Sequence, residues 1–446
     1  MISQSHQTPP ERIGGVLQGI TVIELCGARG QFMAKLMGDM GARVIKIEPL
    51  GGAPERQIGP FMDDAPHPDR SLFFWAHNTS KESLELNIEA PEGRKIIRRL
   101  AATADVILED FEPGYLPSLG LGYKNLSAGN ERLVMTSLTA FGQDGPYRDY
   151  KSTDIVALAM GGIMHSCGYD DLPGSPPIRP SGDHGDKIAS HYGLMGTLAA
   201  IFNRHFSGKG QYIDVSAHEA CNSTTEHALP TYLYEGENVF RQTGRHHSTT
   251  PTPKTLCKTS DGKYVIVFQL FNNLHSWLSL VRWMGDVGMA EDLQEERYKD
   301  MARGGSRGMR AAPDTTDSDH AFEVVRRFIA SQTAKDIYRG AQNLKFPWGE
   351  VRSPEENLND PHFAEDRQMF ADIPHPELGE GVSFKYVGRP YRFTESPWNA
   401  FRPPLVGEHT ELILSVDLEY SEQDLKTLEL NGIISSNQNQ RSKDLT

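Results

Sequence analysis

The sequence lacks most of the features that would announce a common function. It has only four cysteines, Cys26, Cys167, Cys221 and Cys257, and no two form a C-x-x-C pair. Zinc-ribbon spacing and a disulfide framework are therefore excluded, and buried free thiols in a reducing cytoplasm are expected. No apolar run approaches the roughly 20 residues that cross a bilayer, so no membrane association is expected; the richest, 155–164 and 192–202, are short. Residues 1–13 have no apolar core and are expected to be a flexible tail rather than a signal peptide. Positive charge is also scarce: 45 basic against 59 acidic residues leave a net charge of −14. That argues against a nucleic-acid partner, which needs a basic surface, while a few local cations still suffice for a small anion.

Several nucleotide and hydrolase signatures are missing as well. There is no G-x-G-x-x-G and no Walker A loop. Gly304-Gly-Ser-Arg-Gly308 fits G-x-S-x-G by letter, but a charged stretch precedes it where a nucleophile elbow needs a buried strand. The sixteen histidines are scattered, and His184, His246 and His247 have no carboxylates at ligand spacing, so no metal is expected.

What is present reads as α/β. Length alone, at 446 residues, calls for two domains. Residues 17–25 form an apolar, β-branched run, followed by the glycine-bearing loop Cys26–Gly30. An amphipathic helix from Gln31 to Met40 is halted by Gly41-Ala42, and Arg43–Glu48 is a second strand. A helix from Pro91 and strands at Ala104–Phe111 and Leu133–Leu138 continue the alternation, which predicts a doubly wound parallel sheet over about 200 residues. Ligands of such sheets bind at the carboxyl ends of strands, here the loops at 26–30, 109–114 and 139–146. Ala217–Tyr234 reads as a long helical connector and Arg241–Pro253 as a polar linker. A smaller domain follows over about 250–350, with the charged, glycine-rich 295–316 expected as a surface loop. The final residues return to a β-rich, proline-marked pattern closed by a capped helix at 420–428.

The chemistry-bearing candidate is Asp186. It follows Gly185 at the start of a stretch that reads as a helix from Lys187, with Ile188, Tyr192, Met195, Ala199 and Phe202 along one side. A helix N-terminus offers free N–H groups and a positive dipole, which favour an ionised carboxylate able to attack an acyl carbon. The same residue type in the same place also serves as a plain N-cap, and the local sequence leaves both readings open.

Six further pieces occur in order: Gly41-Ala-Arg-Val-Ile-Lys-Ile-Glu-Pro49, Asn78-Thr-Ser-Lys-Glu-Ser-Leu-Glu-Leu86, Ala104-Asp-Val-Ile-Leu-Glu-Asp-Phe-Glu-Pro-Gly114, Phe141-Gly-Gln-Asp-Gly-Pro-Tyr147, Gly208-Lys-Gly-Gln211 and Leu430-Asn-Gly-Ile433. Together they resemble the family III CoA-transferases over residues 17–434. That superfamily also holds the carnitine and formyl-CoA transferases and the acyl-CoA racemases. The resemblance implies a large Rossmann-like domain at 14–225, a linker at 226–250, a small α+β domain at 251–350, and a return of 351–446 to the large domain. It also implies an interlocked homodimer, or a heteromer with a homologous subunit.

Counting back from Gln211, the family's nucleophile falls on Asp186, with Asp183 a neighbour out of register. The implied reaction has the aspartate attack an acyl-CoA thioester to form a mixed anhydride and then an aspartyl-CoA thioester, from which CoA passes to a carboxylic acid. CoA is a substrate, and no permanently bound cofactor is expected. Backbone amides at the helix start or glycine loop are expected to hold the oxyanions. CoA contacts carried over by position are Ala28, Arg29, Leu86, Asp110, Phe111, Thr139, Ala140, Phe141 and Gly142. Asp110 departs from a commoner Asn. Pro49 and Ser118 stand where some members carry Arg, which turns the expected phosphate contacts to Arg29, Lys46 or Arg56. The glycine-rich loop of formyl-CoA transferases is absent around 245–262, which disfavours oxalate-type substrates. Two alternatives remain. A racemase or isomerase needs a histidine base where Thr153 stands, and a non-catalytic CoA-binding subunit would pair with an active homologue.

Overall fold

The computed structural model describes residues 14–435 apart from 173, 226, 312–314 and 389, so the expected tail at 1–13 lies outside the described residues. The β-branched runs become strands and the amphipathic runs between them become crossover helices. In chain order these are β1 (Thr21–Leu25), α1 (Gln31–Asp39), β2 (Arg43–Glu48), α2 (Leu72–His77), β3 (Lys81–Glu85), α3 (Pro91–Thr103) and β4 (Val106–Glu109). After them come α4 (Tyr115–Ser118), α5 (Tyr123–Leu126), β5 (Val134–Thr139), α6 (Asp154–Met160), α7 (His184–Ser207), β6 (Tyr212–Ser216) and α8 (Ala217–Asn222). The six strands form one parallel sheet in the order β3-β2-β1-β4-β5-β6. Chain direction across the sheet reverses between β1 and β4, the switch point where doubly wound folds open a crevice.

The period-two pattern of the strands assigns their side chains to two cores. Val22, Val44, Val106 and Val134 point to the side that holds Met33 and Met37 of α1 and Leu194 and Ile201 of α7. Ile23, Ile45, Ile107 and Met135 point the other way, to Ile96, Ile97 and Leu100 of α3. That second face is completed by Ile413, Leu414, Leu428 and Ile433 from the end of the chain. Each fully buried Val or Ile stabilises by roughly 1.5–3 kcal/mol. With both faces covered, β4 carries a continuous apolar run at Val106–Leu108, while β2 and β3 bury charged side chains such as Lys46 and Lys81. Gly41, at φ +103°, makes the sharp exit from α1, and a Cβ there would lie 2.8 Å from Gly15 Cα.

The chain divides into two compact units. The first comprises the described parts of Met1–Gly161, Ser181–Thr224 and Leu358–Thr446 and carries the parallel sheet. The second comprises the described parts of Gly162–Pro180 and Thr225–Asn357. Its core gathers Phe271, Trp277, Phe328, Phe346 and Trp348, from helices such as Leu274–Asp286 and Thr316–Ala330 and from a small antiparallel sheet.

Four local expectations change. The segment expected as a surface loop at 295–316 contains a helix, Glu296–Ala311, because Tyr298 and Ala302, one turn apart, are buried in the second core beneath the charged side chains. Part of that segment, 312–314, lies outside the described residues. The expected connector at 217–234 is two helices, α8 and Ala228–Glu235. The polar 241–253 contains all but the first residue of a hairpin, Phe240–Gln242 paired with Arg245–Ser248.

The fourth change concerns α7. It begins at His184, three residues before the expected start, and buries the opposite face. Gly185, Ala189, Gly193, Leu194, Thr197, Ala200 and Ile201 face inward. Tyr192, Met195 and Phe202 of the expected apolar stripe are 37%, 55% and 65% exposed. Close approach explains the reversal: a Cβ on Gly193 would lie 2.8 Å from Met33 Sδ. Small side chains seat α7 on the sheet where large ones would not fit.

Candidate active site

Asp183 is the N-cap residue of α7, which makes Asp186 its third helical residue. Neither acts as a cap. The Asp183 side chain makes no capping bond. Instead Asp154, at the start of α6, reaches across: its Oδ1 accepts the Gly185 amide at 2.7 Å and the Asp186 amide at 3.3 Å. Gly185 is required for this approach, since a Cβ would lie 3.0 Å from that same Oδ1. The helix end is thus capped from outside, and the Asp186 carboxylate is left for another partner.

That partner is Arg29. Its Nε donates to Asp186 Oδ1 at 3.3 Å and its Nη2 to the Ser152 carbonyl at 3.4 Å. The two side chains are 20% and 16% exposed. One turn along α7, the buried Ser190 hydroxyl donates to the Arg29 carbonyl at 2.8 Å. Asp186 and Ser190, at i and i+4 on one helix face, hold the two ends of the same arginine. Burial raises the Asp186 carboxyl above the ordinary aspartate value, Arg29 opposes the rise, and Asp154 and Asp183 add to it. Cys221 of α8 lies in the same neighbourhood, its thiol pushed up to about 11 by burial and then by the charges of Asp154 and Asp186.

The β1–α1 loop is held by buried carboxylates. Asp110, just past β4, accepts the Gly27 amide through Oδ1 at 2.7 Å and the Gly30 amide through Oδ2 at 2.9 Å. Glu55 takes the Ala28 amide. In a dinucleotide fold, amides of this loop and of the helix it opens face a phosphate. Here protein carboxylates occupy them, which agrees with the missing G-x-G-x-x-G. Of the amides expected to hold an oxyanion, those of Gly185, Asp186, Gly27 and Gly30 are already engaged by protein carboxylates.

A family model, CoA-transferase family III, matches residues 17–410. The chain belongs to CoA-transferase family III. It is an enzyme of that family by its relatives as well. It is 31% identical over 398 residues to a subunit of succinyl-CoA:(R)-benzylsuccinate CoA-transferase from Thauera aromatica, covering 88% of this chain and 92% of that one. It is 30% identical over 437 residues to the succinyl-CoA–D-citramalate CoA-transferase of Chloroflexus aurantiacus, covering 96% and 100%. The crystal structure of a CAIB/BAIF family protein from Brucella suis superposes with a TM-score of 0.74 at 26% identity, over 90% of this chain and 99% of that chain.

Seen as a family III CoA-transferase, the chain places its expected site residues unequally. Arg29 and Asp186 are in contact, and exposed Ala28 adjoins them on the same loop. Phe111 follows Asp110, with its ring 4.8 Å from Tyr115 and packed on the second-face core. Thr139, Ala140, Phe141 and Gly142 cross the end of β5, where Thr139 Oγ1 accepts the Gly142 amide at 2.9 Å. Ala140 is tied to α8 through the His218 amide at 3.1 Å. Leu86 sits beyond β3, two strands and so about 10 Å from β1, with its side chain 1% exposed in the core. Two alternative phosphate contacts are overturned. Lys46 is fully buried between Glu24 and the Cys26 carbonyl, and Arg56 is fully buried against Glu48 and Asp69. Lys81 is likewise interior, bonded to Glu24, Asn78 and the Gln31 carbonyl. The sequence reading missed Ser190 and Ser152 altogether and gave Asp154 no role at α7. Asp154 had a visible signal, since it opens a helix immediately after Thr153.

Among the described residues no helix is long and apolar enough to cross a membrane.

Proposed function

We propose that the protein transfers CoA from an acyl-CoA, with succinyl-CoA as donor, to a carboxylic acid through covalent acylation of Asp186. The observation that carries this reading is the externally capped helix end. Asp154 satisfies the α7 amides, so the Asp186 carboxylate faces a loosely held arginine at the carboxyl end of the sheet. An Asp186 oxygen attacks the thioester carbon, forming a C–O bond as the C–S bond breaks, and CoA leaves as thiolate. The thiolate then attacks Asp186 Cγ, expelling the donor's carboxylate and leaving an aspartyl-CoA thioester. The acceptor acid reverses these two steps, and no net proton transfer is needed. The names of relatives that use succinyl-CoA support the donor.

CoA contacts are proposed at Ala28, Phe111 and Thr139–Gly142, with backbone groups acting at Leu86. The exposed apolar face of α7, with Tyr192, Met195, Phe202 and Phe206, supports burial against a second, interlocked copy or a homologous subunit. Four free thiols agree with a reducing cytoplasm. A racemase is disfavoured because Thr153, which precedes α6, offers a hydroxyl where a base is needed.

The test is exchange of labelled succinate into succinyl-CoA, with hydroxylamine trapping read by mass spectrometry. The expected outcome is a single hydroxamate at Asp186. Asp186→Ala loses exchange on the order of 10⁴-fold or more, while Asp183→Ala retains most of it. Full exchange in Asp186→Ala would end the assignment.

A further inference from the structure

We infer that Arg29 is a catalytic residue: its guanidinium is the counter-ion of Asp186 in the resting enzyme and of whichever anion Asp186 displaces once it is acylated. This rests on the proposed aspartyl mechanism and names the group that holds its charge. The carry-over by position made Arg29 a CoA contact, and Pro49 and Ser118 made it a candidate for phosphate; its side chain turns to Asp186.

The argument follows the charge. Among the described residues, the only cation bonded to Asp186 in the resting site is Arg29. When Asp186 attacks the thioester, its negative charge passes to the leaving thiolate. When the thiolate attacks Asp186 Cγ, the charge passes to the released carboxylate. The acceptor acid brings the same sequence in reverse. At each stage the reacting atoms carry one negative charge, and its position moves by a few ångströms. One cation that can pivot serves every stage; an amide pointing at one spot serves a single stage.

Three observations fit Arg29 to that task. Its two bonds, at 3.3 and 3.4 Å, are long for charged donors, and among the described residues they leave further guanidinium N–H groups without partners. Its backbone is fixed by Ser190, so the head can shift while the base stays in place. The amides of Gly185, Asp186, Gly27 and Gly30 are occupied by Asp154 and Asp110 and do not compete for the oxyanion. A partly exposed site strengthens the pairing relative to water once substrate covers it.

The experiment compares wild type, Arg29→Met and Arg29→Lys in succinyl-CoA/[14C]succinate exchange, with circular dichroism to establish folding. Arg29→Met is expected to lower kcat by about 100-fold, with the KM for succinyl-CoA within about threefold. Arg29→Lys, which keeps the charge, retains at least about a tenth of wild-type kcat. The acid limb of kcat/KM also moves. Asp186 is faced by Arg29 from the β1–α1 loop, Asp154 from α6, Cys221 from α8 and Asp183 from its own N-cap. Of these only Arg29 holds its carboxyl down, so Arg29→Met shifts the limb to higher pH and Arg29→Lys does not. If Arg29→Met does not fold, Arg29→Gln carries the same test. Wild-type kcat in the neutral variants, a loss residing only in KM, or an unmoved acid limb would overturn the inference. Absence of exchange and of an Asp186 hydroxamate in the wild type would instead sink the proposed function, so the two failures are distinguishable.

Discussion

Arg29 and Arg56 stood as equal candidates for a phosphate contact, yet their surroundings could hardly differ more. Arg56 is 1% exposed and makes a fork to both Glu48 oxygens at 2.7 and 2.8 Å. It bonds Asp69 at 2.9 Å and the Pro404 carbonyl at 3.0 Å, and lies 3.7 Å over the Phe74 ring. Arg29 has two long bonds and a fifth of its side chain open. The first arginine has every donor direction filled by protein and stitches the chain's late segment to its start. The second is underfilled, which leaves room for the substrate charge proposed above. Counting cations along a sequence cannot separate the two cases, because the difference lies in which carboxylates the fold brings alongside.

This contrast can be tested by removing charges from each environment. The largest effect is expected for Arg56→Met, which strands Glu48 and Asp69 without their cation. Loss of one partner of a buried pair costs about 3–5 kcal/mol, read as a lower midpoint in urea, while the folded fraction keeps its KM for acyl-CoA. Glu109 sharpens the comparison from the acidic side. It is 5% exposed at the end of β4, and burial raises its carboxyl from 4.5 to about 7. The folded state therefore holds a proton that the unfolded chain has released. Its contribution falls as pH rises from about 4.5 to about 7 and stays low above. Glu109→Gln should stabilise the protein by up to about 3 kcal/mol at pH 8 and by nothing at pH 4. Equal melting shifts at both pH values would refute this. The smallest effect is expected for Asp154→Asn, which keeps an oxygen for the Gly185 amide but removes a charge that raises the Asp186 carboxyl. Its acid limb in kcat/KM should move to lower pH, opposite to Arg29→Met; a limb that rises would show that Asp154 acts otherwise.

The parallel sheet was legible because it depends on local signals. The β-branched runs at 21–25, 43–48 and 134–139 form strands, and Gly41 ends α1 as its position indicates. The face of α7 was not legible. Hydrophobic periodicity selects the stripe with the largest apolar side chains, but packing on the sheet selected the stripe with the smallest, through Gly185, Ala189 and Gly193. The helix at 296–311 was hidden in the same way, since two buried residues among many charges give a weak period. Asp186 was found by its distance from Gln211. What surrounds it was not, because Arg29, Ser152 and Asp154 are far from it in sequence and meet it only through the crossings of the chain.

The small-residue seat of α7 has a mechanical consequence. A helix lying that close to a sheet has little freedom to roll, and Asp186 and Ser190 ride on it one turn apart. Should Asp186 be acylated as proposed, any load a bulky thioester puts on it passes through that helix to Ser190 and so to the backbone of the β1–α1 loop, while the arginine head stays free to turn.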